Sequence, residues 1–73
     1  MGIHVNRQER TVEWEYDGKT VNINNEHMLY AFEHGKDMLM IKEKYEASEN
    51  GFSLYDVAGK QIFSYKYLAN TIK

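Results

Sequence analysis

The sequence contains no cysteine and no proline. The first absence excludes disulfide staples and a thiolate-ligated zinc. The second leaves every turn to glycine and small polar residues. Length is short as well: 73 residues make one domain and no more. A core of that size typically supplies only ~3–5 kcal/mol, so small scaffolds usually need a staple. Histidines at 4, 27 and 34 are too few and too scattered to suggest a structural metal. What remains is a compact aromatic core, or association with another chain.

An excess of one charge is also missing. Nine basic residues against 11 acidic ones give a formal charge of -2, which argues against a dedicated polyanion binder. No apolar run approaches the ~20 residues needed to span a membrane. The opening MGIHVNRQER has no apolar signal-peptide core. Asn6 stands where a myristoylation signal would carry Ser or Thr. A cytoplasmic location is the default expectation.

What the sequence does have is aromatic surface and alternation. One tryptophan, six tyrosines and three phenylalanines can each bury ~150–250 Å². Glycines at 18, 35, 51 and 59 punctuate segments in which β-branched and aromatic residues alternate with polar ones. Three consecutive hairpins are expected.

VEWEYDGKTVNI, residues 12–23, is the clearest. Asp17-Gly18 suits a two-residue type I′ turn, with positive φ at both central positions. That turn sets Tyr16 opposite Lys19, Trp14 opposite Val21, and Val12 opposite Ile23. The four apolar residues share one face; Glu13, Glu15, Thr20 and Asn22 share a solvated one. Turn chemistry and register agree.

MLYAFEHGKDMLMIKEKY, residues 28–45, gives the second hairpin. A type II′ turn at Gly35-Lys36 pairs His34 with Asp37, Phe32 with Leu39 and Tyr30 with Ile41, making one apolar face. The other face then holds Leu29, Ala31, Met38 and Met40, and it too is apolar. In GFSLYDVAGKQIFSYKY, residues 51–67, Val57-Ala58-Gly59 fits a three-residue loop with Gly59 left-handed and Asp56 meeting Lys60 across its neck. Leu54 pairs with Ile62 on one side; Tyr55 meets Gln61 and Ser53 meets Phe63 on the other, with Tyr65 continuing that row. ENG at 49–51 reads as a turn. GIHV permits a short strand, and the spacing of Leu68 and Ile72 in YLANTIK permits one or two turns of helix.

WEYDGKTV and LYDVAGKQI share an order of aromatic, Asp, Gly-Lys, polar and β-branched residues, with Tyr16 and Tyr55 separated by 39 positions. That interval resembles a β-propeller-like repeat of a blade and a half. Any hairpin turning on Asp, Gly and Lys produces the same pattern, and this plainer explanation is preferred.

Signs of chemistry are sparse. Glu13 and Glu15 share one strand face, and paired carboxylates hydrolyse glycosides when they flank a bond. That needs a cleft and a raised pKa on one partner, which an open polar face does not provide. No nucleophile signature surrounds Ser48, Ser53 or Ser64, and no phosphate loop is present. No enzyme, cofactor or metal site is expected.

YKY at 65–67, with Phe63 and Lys42, Lys44 and Lys60, has the ingredients of a single-strand nucleic-acid platform. Glu43, Glu46 and Glu49 interleave with those lysines and weaken the field. A small-ligand or sugar binder using Trp14 and the tyrosines is a further alternative, opposed by the register that puts Trp14 in the core. Methionines at 28, 38 and 40 suit adaptable contacts. They form either a second small core or a surface for another chain.

The expectation is an all-β antiparallel meander of about six strands. Its candidate interaction surface comprises Leu29, Met38, Met40, Phe63, Tyr65 and Tyr67. That surface meets either residues 67–72 or a symmetry mate, a two-fold homodimer being the commonest arrangement. The expected function is protein binding without catalysis, the chain itself among its partners.

Overall fold

The structure, a computed structural model, describes residues 1–68. It is all-β and antiparallel, with seven strands: β1 His4–Asn6, β2 Thr11–Tyr16, β3 Lys19–Asn24, β4 Met28–His34, β5 Met38–Glu46, β6 Glu49–Asp56 and β7 Gln61–Leu68. They form two sheets, β1-β2-β3 and β4-β5-β6-β7, rather than one six-stranded meander. The described residues contain no helix. Tyr67 and Leu68, assigned from the sequence to a possible helical turn, belong to β7. The rest of that segment, 69–73, lies outside the described residues.

The first hairpin has the expected register. Asp17 and Gly18 take φ of 54° and 75°, as a type I′ turn requires. Tyr16 pairs with Lys19, Trp14 with Val21 and Val12 with Ile23. Short β1 adds to β2 through Val5 and Val12.

The second hairpin differs by one residue. Its loop is Gly35-Lys36-Asp37, closed by His34 opposite Met38, and Gly35 supplies a left-handed φ of 70°. Phe32 therefore pairs with Met40, Ala31 with Ile41 and Tyr30 with Lys42, not Phe32 with Leu39 and Tyr30 with Ile41. A one-residue slip exchanges faces. Both alternating sets of residues are apolar here, so alternation could not choose between them. Packing does: Leu39 and Ile41 are fully buried, whereas Tyr30 and Phe32 are exposed.

In the third hairpin the loop is as expected. Gly59 takes φ 90°, its N–H donates to the Asp56 carbonyl (3.0 Å), and Asp56 N–H donates to the Lys60 carbonyl (2.9 Å). Tyr55 faces Gln61, but the register then shifts, so Leu54 pairs with Phe63 and not with Ile62, and Ser53 with Ser64. Ile62 is the extra residue of a bulge. ENG is strand: Glu49–Asp56 is continuous and pairs with both neighbours. The hairpin loops at Asp17-Gly18 and Val57-Ala58-Gly59 thus differ in length and conformation, so the resemblance between their sequences stops at composition.

The core joins the two sheets. Val12 and Trp14 from the first cluster with Met28, Leu39, Ile41 and Tyr55, and Val21, Ile23, Met1, Ile3 and Ala31 pack around them. Trp14 also donates from Nε1 to the Val57 carbonyl at 2.8 Å, so indole burial and a satisfied N–H coincide. The third hairpin's loop closes on the first sheet: a Cβ at Gly59 would stand 2.6 Å from Val21 Cγ1. The chain is drawn out to 48 × 23 × 15 Å. Its radius of gyration is 12.9 Å against ~11 Å for a compact domain of this length.

Candidate functional site

The four-stranded sheet has a dry side and an open side. Along β5 burial alternates, with Leu39, Ile41 and Glu43 buried and Met38, Met40 and Lys42 half-buried between them. β6 repeats this, Gly51, Ser53 and Tyr55 inward and Phe52 and Leu54 outward. Of the inward residues, Leu39, Ile41 and Tyr55 cluster with Val12 and Trp14 of the first sheet.

The outward residues line up across all four strands. One row runs Phe32–Met40–Leu54–Phe63, the next Tyr30–Lys42–Phe52–Tyr65, and a third Lys44–Asn50–Tyr67. Ring contacts tie the rows together: Phe52–Phe63 at 5.8 Å, Phe52–Tyr65 at 6.0 Å and Tyr65–Tyr67 at 6.1 Å between centroids. Tyr30 stacks on Phe32 at 5.9 Å, and Lys42 Nζ lies 6.0 Å from the Phe52 ring centre. Phe63 and Tyr65 remain 49% and 53% exposed, so no described element packs over them.

Five of the six residues expected at an interaction surface meet on this side: Met38, Met40, Phe63, Tyr65 and Tyr67. Leu29 does not join them. It sits at the β4 bulge between Met28 and Tyr30, where its carbonyl accepts from Arg7 Nε at 2.8 Å. Tyr30, Phe32, Phe52 and Leu54 are additional members. Tyr30 and Phe32 were assigned by the sequence to the core face, through the register slip of the second hairpin.

Beneath the open side lies a buried polar cluster that sequence reasoning missed. Glu43 follows Leu39 and Ile41 on the inward side of β5 and is 3% exposed. Its Oε2 accepts from Asn25 Nδ2 and Ser53 Oγ, both at 2.7 Å, and its Oε1 accepts from the Tyr45 hydroxyl at 2.6 Å. Gln61 Nε2 continues the chain to Ser53 Oγ at 3.0 Å. Burial first, then the bond to Glu43, raises the Tyr45 phenol well above its ordinary value. Burial raises Tyr55 too, with the nearby Glu43 charge adding and the Asn25 bond opposing. The signal in the sequence was the period of two: a residue two positions beyond Ile41 falls on the core side. Three donors satisfy the carboxylate, which makes the cluster a structural network.

Tyr45 itself is held between His27, whose ring centre is 4.2 Å away, and Lys66, whose Nζ is 4.3 Å from the ring centre. The paired carboxylates of β2 are occupied on an exposed surface: Glu13 accepts from Asn22 and Glu15 from Thr20, each at 2.7 Å. Among the described residues no group of three His, Asp or Glu side chains is placed to hold a metal ion. No described helix is long and apolar enough to cross a membrane.

Compared with family models, curated proteins and solved structures, the chain matches none of them.

Proposed function

We propose that this chain is a small non-catalytic β domain that works by protein–protein contact through the open side of its four-stranded sheet, a second copy of itself being one partner. A single observation carries the reading: the row Phe32–Met40–Leu54–Phe63 spans the sheet without a charge. Four strands at ~4.8 Å spacing and about six residues at ~3.4 Å give a face of roughly 400 Å², most of it apolar and part of it taken by Lys42, Lys44 and Asn50. Contiguous apolar patches of several hundred Å² mark interaction sites. Met38 and Met40 add side chains that re-pack readily against different surfaces.

Light scattering over a range of concentrations tests this. The wild-type mass should rise above 8.6 kDa, and Met40→Lys, which sets a charge in the middle of the apolar row, should lower it at equal concentration. A wild-type chain that stays at the single-copy mass up to millimolar concentration overturns the self-association. The stacked Tyr65–Tyr67 pair and the placement of Lys42 beside Phe52 favour a second reading, a platform for single-stranded nucleic acid. A gel shift at low salt that fades as salt rises would support it, since phosphate contacts release counterions. The absence of a shift at low salt removes it.

A further inference from the structure

The two edges of the four-stranded sheet are unlike. β4 carries a bulge between Met28 and Tyr30, Arg7 caps the Leu29 carbonyl, and the Met1 amino group and Gly2 N–H both bond to the Glu33 carboxylate. These are ways of blunting a strand edge. β7 has β6 as its only strand neighbour among the described residues. Past the bulge at Ile62 its pairing is regular, and it has no proline. Its one charged residue, Lys66, is turned onto the Tyr45 ring at 4.3 Å and does not guard the edge.

Bonded and non-bonded pairs alternate along antiparallel strands. Counting from the bonded pair Asp56–Lys60 through the bulge, Phe63 and Tyr65 bond to β6. The Tyr65 carbonyl indeed points there, 2.5 Å from where a Gly51 Cβ would stand. The N–H groups of Ser64 and Lys66 therefore face away from the sheet, where only another strand matches their spacing.

We infer that this edge pairs with the β7 edge of a second copy, antiparallel and two-fold about Tyr65. The regular stretch is 63–68, so the two-fold can lie at Tyr65 or at Lys66. In the Tyr65 register Ser64 and Lys66 of each copy form bonded pairs with Lys66 and Ser64 of the other. Phe63 meets Tyr67, Tyr65 meets itself on the open side, and no like charges stand opposite. Centring on Lys66 instead opposes two ammonium groups, and centring on Ser64 runs into the bulge. The outcome is one eight-stranded sheet whose open side doubles to roughly 800 Å².

This adds a second self-contact, through the edge, to the face contact proposed above, and the test separates the two. Ser64→Pro removes an outward N–H while leaving the bonds to β6 and every ring on the open side in place. Amide exchange at Ser64 and Lys66 should slow at least tenfold as wild-type concentration rises. Ser64→Pro should abolish the slowing at Lys66 and weigh less than wild type at equal concentration. Met40→Lys, on the face and away from the edge, should keep the slowing. Tyr65→Lys and Tyr65→Glu should each lose it, and mixing those two variants should bring it back, which keeps the test alive should the proline variant not fold. A Ser64→Pro chain that assembles like wild type overturns the edge pairing and leaves the face reading standing. So do edge amides whose exchange ignores concentration in a wild type that does assemble. A wild type that never exceeds the single-copy mass overturns both.

Discussion

Glu43→Ala should remove a large share of this protein's stability, whereas Glu43→Gln should be tolerated. The alanine leaves Asn25 Nδ2 and Ser53 Oγ, both bonded at 2.7 Å to Glu43 Oε2, buried without an acceptor. Each stranded donor costs about 1–3 kcal/mol. The cavity left by the missing side-chain atoms adds to this, and about 4 kcal/mol in total is a fair expectation. A chain of this length has only about 4–11 kcal/mol of stability in all. Glutamine keeps the shape: its carbonyl takes the Asn25 and Ser53 bonds, and its amide can donate to the Tyr45 oxygen. It loses charge assistance, about 1 kcal/mol per bond. Much of that is offset, because no cation bonds to the buried carboxylate among the described contacts and its desolvation is relieved. A net cost of about 1 kcal/mol follows. Urea titration monitored by Trp14 emission gives both values, since that indole is 2% exposed in the fold and enters water on unfolding. An alanine variant within about 1 kcal/mol of wild type, or a glutamine variant as damaged as the alanine one, would refute the idea that acceptor supply at Glu43 anchors Asn25, in the connection between β3 and β4, to β5 and β6.

Two more outcomes can be checked on the isolated chain. Gly51→Ala should cost about 2–3 kcal/mol by overpacking, because its Cβ would stand 2.5 Å from the Tyr65 carbonyl and 3.0 Å from Tyr45 Cε2. Gly18→Ala has open space and only its φ of 75° to contend with, so about 1 kcal/mol is expected there; the reverse order in denaturant midpoints would show that β6 and β7 are not so tightly apposed. Alkali should also destabilise the fold. Tyr45 and Tyr55 have folded pKa values raised above the unfolded value of 10.0. Stability is therefore fully present below pH 10 and declines as pH climbs further, by up to about 1.4 kcal/mol per pH unit for each phenol. Tyr45→Phe should flatten this decline between pH 10 and 12. An unchanged slope would mean that the Tyr45 hydroxyl is not buried against Glu43.

How much was legible varies from one hairpin to the next. The first was read down to its register because Asp17-Gly18 admits one turn and only one side of its strands is apolar. Those two constraints are independent and agree. The third was read at its loop, where Gly59 and the Asp56–Lys60 neck follow from local geometry. It was misread beyond Tyr55, because nothing about Ile62 marks it as a bulge. The second offered two apolar sides, so a turn of two residues and a loop of three explained the pattern equally well. Of the candidate surface, the methionines and the β7 aromatics were found. Tyr30 and Phe32 were missed with the register, and Leu29 was included although the β4 bulge carries it elsewhere.

The sequence by itself determined that the chain is all-β, where it turns, and that its later strands are apolar on both sides. These are local properties, set by backbone preferences at glycine and by the two-residue period of a strand. Only the tertiary structure decided which side is covered. Leu39 and Ile41 lie against Trp14 and Val12 because those four bury one another completely, and that places Glu43, two residues on, in the core with Asn25 and Ser53 as its donors. The same choice turns Phe32, Met40, Leu54 and Phe63 outward into one row. A pairing register between two apolar sides is a competition for partners far away in the chain, and no short stretch of residues contains the answer.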